Sequence, residues 1–351
     1  MRRVKIATAS AAYDVLIGEN FLNEIGGMVN DVLPACTAAI VTDDVVDGLY
    51  GNTVAESLTA AGYRVLRYVF PNGERSKNIQ IYADILEFLA KEQLTRSDMI
   101  VALGGGVVGD MAGFAAATYL RGIHYVQVPT TFLAAVDSSV GGKTAIDLSV
   151  GKNLAGTFYQ PKLVVCDVKT LGTLSEEIFA DGAAESIKYG VLSSPELFSI
   201  FEKGDVQAEL MDIVRECVGI KRDFVNRDEY DTSARQFLNL GHTVGHAIEK
   251  LSNFTITHGH AVAAGMAVIS RTAEYLGILP GADRIRIEGT LLRNHLPIRC
   301  NFEAKDLAQA ALSDKKRRGD HINLILPKRI GSCRLSSVNV ATLSELIRVG
   351  L

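Results

Sequence analysis

Met99-Ile100-Val101-Ala102-Leu103-Gly104-Gly105-Gly106-Val107-Val108-Gly109-Asp110 decides the fold. Five apolar residues in a row suit a strand buried on both faces. The glycines behind them permit a tight turn into a helix whose first N–H groups stay available to an anion. The spacing satisfies G-x-G-x-x-G, a pattern also met in turns that bind nothing. The acidic residue that a standard dinucleotide fold carries about twenty positions on is missing, and Asp110 follows the last glycine directly. Asp43, just past an earlier strand pattern, is the better candidate for a ribose diol. Met99–Leu120 is also the most membrane-like stretch, with Asp110 its only charge. Glycines at 104, 105, 106, 109 and 113 favour a strand, loop and buried helix over a span.

Outward from this stretch, strand and helix patterns alternate through the first half. Val4–Ala7 and Tyr13–Ile17 form a hairpin pattern. Ala38–Thr42, Arg64–Val69, Tyr125–Val128 and Leu163–Val165 are short β-branched runs, and Phe21–Val32, Val45–Ala61 and Asn78–Glu92 carry helical spacing. After Leu171 helices dominate: Ser175–Val191, Pro195–Glu202, Val206–Asn226, Ala234–Leu251, His260–Leu276 and Asp283–His295, with one late strand at Asn323–Leu326. The expectation is an α/β domain over 1–171 and a mainly α-helical domain over 172–351.

Bulk composition narrows the class. The 351 residues suffice for two cores, and 48% hydrophobic with 22% charged content is ordinary for a globular enzyme. A net charge of -4 argues against nucleic-acid binding. The five cysteines are scattered and include no C-x-x-C, which fits a reducing compartment. The N-terminus alternates like a strand and lacks a signal peptide's apolar block, so a cytoplasmic location is expected, with no membrane partner.

Four of the seven histidines fall between His242 and His260. His242 and His246 stand four apart and share a helical face; with two more histidines soon after at glycine-flanked positions, a divalent metal over this helix is expected ahead of two histidines bonded to backbone carbonyls. Asp137-Ser138-Ser139-Val140-Gly141-Gly142-Lys143-Thr144, leading to Gly151-Lys152-Asn153, lacks the earlier glycine of a P-loop. It is expected as a flexible loop whose lysines meet a phosphate or carboxylate, solvated lysines being the alternative. Glu185 and Lys188 share a helical face, as an exposed ion pair would; Ala183, Ala184 and Ile187 make their surroundings apolar, where a carboxylate seeks a metal or a strong partner.

These motifs together resemble the 3-dehydroquinate synthase family. The likeness runs from about Asp43 to Asp314-Lys315-Lys316. It includes Gly73-Glu74-Arg75-Ser76-Lys77, the triple-glycine loop, Tyr119-Leu120-Arg121-Gly122, Pro129-Thr130-Thr131, the 137–153 run, Ala184-Glu185-Ser186-Ile187-Lys188 and Leu238-Asn239-Leu240-Gly241-His242-Thr243-Val244-Gly245-His246. The resemblance implies a Rossmann-like NAD-binding domain and one divalent zinc, with cobalt as a substitute. It implies Glu185, His242 and His258 as the metal ligands, with His246 off the metal handling protons. Asp43, Glu74, Lys77, Gly105, Gly106, Asp110, Thr130, Thr131, Lys143, Lys152 and Thr173 would contact NAD. Asp137, Lys143, Asn153, Lys188, Lys221, Arg235, Asn239 and His246 would surround a phosphorylated keto-sugar acid. Arg121 would reach a neighbouring subunit's phosphate site in a homodimer, and Lys315 or Lys316 would add a phosphate contact.

Two positions depart from the family pattern. His260 stands where many members have glutamate, two residues from an implied ligand, which leaves it open as an alternative ligand. Asp231 stands where a longer acid is common. A sibling sugar phosphate cyclase, or a metal-dependent NAD polyol dehydrogenase, is the alternative activity.

Overall fold

A computed structural model describes residues 1–312 and 320–351 together with the backbone of 317–318. It divides into two compact units: Met1–Leu174 with Lys221–Tyr230, and Ser175–Ile220 with Asp231–Leu351. A single cut at 171 would leave Lys221–Tyr230 in the helical half; in the structure that decapeptide packs with the α/β unit.

The first unit contains β1 (Arg2–Ala7), β2 (Ala12–Gly18), β3 (Thr37–Asp43), β4 (Arg64–Phe70), β5 (Met99–Gly104), β6 (His124–Pro129), β7 (Lys143–Leu148), β8 (Gly151–Phe158) and β9 (Leu163–Asp167). Its helices are α1 (Ile25–Asn30), α2 (Asp44–Val46), α3 (Asn52–Ala60), α4 (Ile79–Lys91) and α5 (Gly106–Thr118). Seven strands form one sheet in the order β1-β2-β9-β6-β5-β3-β4. Only β1 runs antiparallel to its neighbour. Alternate residues of each central strand point to opposite faces. Ile40, Val101 and Leu103 pack with α1 and α3 side chains such as Val29 and Leu58. Val41, Ile100 and Ala102 pack with Ile85 and Leu89 of α4 and Met111 and Ala115 of α5. Both faces are covered, which is why these strands read as continuous apolar runs.

From β3 the chain steps to β4 on one side and then to β5 on the other. That reversal opens a crevice at the carboxyl ends of β3 and β5, the place where open α/β sheets take ligands. Thr42 and Leu103 are register partners there, so Asp43 and Gly104–Gly106 emerge side by side.

The expected flexible loop at 143–153 is instead an antiparallel hairpin, β7 paired with β8. Thr144 and Ile146 are buried while Lys143 is exposed, a period-two pattern that the glycines and lysines obscured.

The second unit contains α6 (Glu176–Ser193), α7 (Pro195–Lys203), the first part of α8 (Leu210–Arg227), α9 (His242–Leu251), α10 (His258–Tyr275), α11 (Gly281–Arg293), α12 (Ala304–Leu312) and α13 (Val340–Gly350). Strands β10 (Arg317–Arg318), β11 (His321–Arg329) and β12 (Ser332–Asn339) form a small antiparallel sheet. A continuous helix over 234–251 does not form. A 3₁₀ turn at Ala234–Asn239 ends before Gly241, whose φ of +79° breaks the helix. A Cβ at Gly241 would lie 2.7 Å from Val262 O, so glycine alone lets α9 start here against α10. No helix among the described residues is long and apolar enough to cross a membrane.

Candidate active site

In the first unit, Gly105 caps α5 and Gly106 begins it. A Cβ on Gly105 would come 2.9 Å from Thr131 Cγ2, and one on Gly106 would come 3.1 Å from Ser138 Oγ, so a larger residue at either place would press on these side chains. Asp43 caps α2, accepting from Val45 N at 3.1 Å and Val46 N at 2.9 Å. Burial raises its carboxyl above the ordinary value, more than these bonds lower it. Thr130 N donates to Gly104 O at 3.0 Å, Thr131 Oγ1 accepts from Ala134 N at 3.2 Å, and Thr173 Oγ1 lies 2.7 Å from Tyr50 OH.

Beside the crevice the lysines are matched to internal acids. Lys77 Nζ donates to Asp110 Oδ2 and Asn153 Oδ1, both at 2.6 Å. Burial works against the Lys77 charge, but Asp110 and Glu74 outweigh it and hold the ammonium above its ordinary value. Burial also raises Asp110, against the pull of Lys77. The 2.6 Å contact, with 19% of the Asp110 side chain still open to water, marks a charged pair. Asn153 adopts φ +54°, which turns it toward Lys77. Lys152 Nζ lies 3.4 Å from Glu74 Oε1. Lys221 reaches Asp137 twice, at 2.9 Å to Oδ1 and 2.6 Å to the backbone oxygen. Lys143 and Arg121 are exposed.

In the second unit, α6, α9 and α10 bring Glu185, His242 and His258 together. One potential ligand atom from each lies within 4.8 Å of the others. Glu185 is fully buried, and its Oε1 lies 3.4 Å from Nε2 of both histidines. Ligands about 2.0–2.1 Å from a tetrahedral zinc stand about 3.3 Å apart, so this spacing fits an ion better than a direct hydrogen bond. The tautomers fit as well. His242 Nδ1 faces Leu240 O at 3.1 Å and His258 Nδ1 faces Glu249 Oε2 at 3.2 Å, which directs each Nε2 lone pair toward Glu185. Lys188, also buried, donates to Glu185 Oε2. Burial disfavours a proton on His258, yet the neighbouring carboxylates of Glu185 and Glu249 outweigh it and push its pKa up to about 10. The spot draws positive charge, as a proton or as a metal.

His246 shares this neighbourhood, its ring centroid 5.4 Å from that of His242 and 6.0 Å from that of His258. With Glu249 and His258 it forms a second group of ligand-type atoms within 4.8 Å. His260 turns elsewhere, its Nδ1 2.9 Å from Asp181 Oδ1, and belongs to neither group. Arg235 is buried and Asn239 lies in the 3₁₀ turn before α9. Lys315 and Lys316 lie outside the described residues. Sequence reasoning missed Glu249, although His242, His246 and Glu249 stand at i, i+4 and i+7 on one helix face. It also missed Asp181, one turn before Glu185.

A mostly parallel sheet with a switch point, in the same chain as a buried carboxylate–imidazole cluster able to hold a cation, places the protein among α/β enzymes of Rossmann-like fold. The match to known proteins is more specific. Residues 67–181 match the model of the 3-dehydroquinate synthase N-terminal region and residues 182–317 that of its C-terminal region. The chain belongs to the 3-dehydroquinate synthase family. It is 41% identical to a 3-dehydroquinate synthase of Clostridium acetobutylicum, over 99% of this chain and 100% of that one. Among solved structures it is similar to 2-deoxy-scyllo-inosose synthase complexed with carbaglucose-6-phosphate, NAD+ and Co2+ (TM-score 0.89, 26% identity, 100% of both chains). It is equally similar to 2-epi-5-epi-valiolone synthase from Streptomyces hygroscopicus subsp. jinggangensis with NAD+ and Zn2+ bound (TM-score 0.89, 25% identity, 98% of both chains).

Proposed function

We propose that this chain is a cytoplasmic lyase that converts 3-deoxy-D-arabino-heptulosonate 7-phosphate to 3-dehydroquinate and phosphate, a step of aromatic amino acid synthesis. One observation carries the reading: a buried carboxylate oxygen lies 3.4 Å from Nε2 of each of two imidazoles in a chain whose two halves both match the family. Glu185, His242 and His258 would hold a divalent cation, zinc with cobalt as its substitute. Asp43, Glu74, Lys77, Gly105, Gly106, Asp110, Thr130, Thr131, Lys143, Lys152 and Thr173 would hold NAD. When bound, NAD supplies a transient two-electron acceptor and the cation a Lewis acid at the carbinol oxygen.

Transient oxidation at a ring carbinol acidifies the adjacent C–H, phosphate leaves by β-elimination, and reduction restores the alcohol before ring opening and intramolecular aldol closure. The chain's own residues bind, orient and move protons. His246 lies near the Glu185 cluster without belonging to its ligand trio, and it carries protons to and from the substrate. Lys143, Lys188, Lys221 and Arg235 present cations to a substrate with two anionic groups, and Asp137, Asn153 and Asn239 orient its hydroxyls. Lys188 and Lys221 already bond Glu185 and Asp137, so substrate anions would share these ammonium groups with the carboxylates rather than meet bare charges. Arg121, exposed at the end of a 3₁₀ turn, is assigned to the phosphate site of a second copy in a homodimer.

The test is a phosphate-release assay on the keto-sugar phosphate, with the product identified by mass and NMR. Release of one phosphate per carbocycle without net NADH is the expected outcome. Stoichiometric NADH from a simple polyol, with no phosphate released, would reverse the assignment.

A further inference from the structure

Asp181 stands on α6 one turn before Glu185, and its carboxylate reaches the first turn of α10. There Oδ1 accepts from Thr257 Oγ1 at 2.6 Å and from His260 N at 3.1 Å, and lies 2.9 Å from His260 Nδ1. Thr257 Oγ1 also lies 2.8 Å from His260 Nδ1. Thr257 is the N-cap of α10, yet its hydroxyl caps no N–H of its own helix. His260 N is the third N–H of that helix, one that an N-cap side chain ordinarily satisfies. The cap comes instead from Asp181, on another helix. Between them Gly259 admits contact at backbone distance, since a Cβ there would fall 2.3 Å from Asp181 Cα.

We propose that Asp181 is a positioning residue for the metal centre. By capping α10 from α6, it sets how far His258, at the first position of α10, stands from Glu185, one turn further along α6. The inference rests on the reading of Glu185 and His258 as ligands. It also accounts for His260, whose side chain belongs to this clamp and not to the metal. Ligands held in place before the ion arrives bind it more tightly, because no binding energy is spent on bringing the helices together.

The test compares full-length Asp181→Ala, Asp181→Asn, Gly259→Ala and Glu185→Gln, measuring Zn²⁺ affinity by chelator competition and the visible absorption of the Co²⁺ form. Asp181→Ala is expected to weaken zinc binding about 10–100-fold and to shift the cobalt bands. Asp181→Asn keeps an acceptor oxygen and is expected to recover most of that loss. Gly259→Ala is expected to weaken zinc with every ligand and the Asp181 carboxylate retained. Asp181→Ala within about twofold of the unaltered protein, with an unchanged cobalt spectrum, overturns the proposal if Glu185→Gln has lost the metal. Zinc retained by Glu185→Gln overturns the ligand assignment and the proposal with it. Should Asp181→Ala fail to fold by circular dichroism, Thr257→Val removes one contact of the clamp, and unchanged zinc affinity in that variant overturns the proposal.

Discussion

Lys77 in the first unit and Glu185 in the second are both nearly sealed from water, 5% and 0% exposed, yet the chain treats their charges differently. Lys77 is answered from within: Asp110 and Asn153 accept hydrogen bonds from it at 2.6 Å. Glu185 receives Lys188 on one oxygen and turns the other toward two imidazole nitrogens at 3.4 Å. The first arrangement balances its own charge. The second gathers lone pairs, which repel one another unless a cation or a proton stands among them. The first suits a ligand met by backbone between strand ends, the second a cation met by donor atoms.

The largest expected effect falls on the donor set. Glu185→Gln exchanges a carboxylate for a neutral amide and leaves Lys188 without its anionic partner. Zinc content by elemental analysis should fall with turnover to background; near-normal zinc would remove the contrast between the units. His246→Ala comes next. It should keep the metal and slow turnover about 10²–10⁴-fold, the range for loss of a general acid–base. Zinc loss in that variant would shift the ligand set toward His246, Glu249 and His258.

Lys77→Met tests the other side of the comparison. It strands the Asp110 carboxylate, and with part of that side chain still hydrated the cost should be about 2 kcal/mol in urea unfolding. NAD affinity by titration should fall about tenfold, one charge-assisted contact's worth. Lys77→Met/Asp110→Asn should regain stability but not NAD affinity. Recovery of both would mean that the pair serves the fold alone.

How much of this was legible in the sequence differs between the units for the same reason. The crevice follows from apolar runs and glycines, local patterns that fix strands and turns, and Asp43 emerges beside Gly104–Gly106 once strand order is known. The β7–β8 hairpin escaped because two glycines and two lysines signal a loop more loudly than Thr144 and Ile146 signal a strand. In the second unit the histidines were conspicuous, but their grouping came from the family resemblance and not from spacing. Periodicity pairs His242 with His246, whereas the structure sets His242 and His258 on one Glu185 oxygen, from a third helix. That convergence depends on how closely helices approach, through Gly241 and Gly259, and such glycines look in sequence like ordinary breaks.

Glu229 yields the smallest and most local prediction. It lies on the decapeptide Lys221–Tyr230 that returns to the first unit. It accepts from Ser10 Oγ, from Ser10 N at 3.2 Å and from Gln160 Nε2 at 3.0 Å, while Asn226 Oδ1 accepts from Ala7 N at 3.1 Å. These contacts hold the segment that presents Lys221 to Asp137. Burial raises the Glu229 carboxyl, but hydrogen bonds from Ser10, Gln160 and Thr8 outweigh it and hold the group below its ordinary value. A carboxyl lowered by folding stabilises the folded state above its unfolded pKa, and that stability disappears as pH falls through the folded one. Glu229→Gln should therefore lose about 1–2 kcal/mol at neutral pH, the scale of hydrogen bonds to a charged acceptor. In urea unfolding the gap between variant and unaltered protein should narrow as pH drops below the ordinary glutamate value of about 4.3. A gap constant with pH would mean that Glu229 holds the segment by shape alone, and one that widens in acid would contradict the direction of its shift.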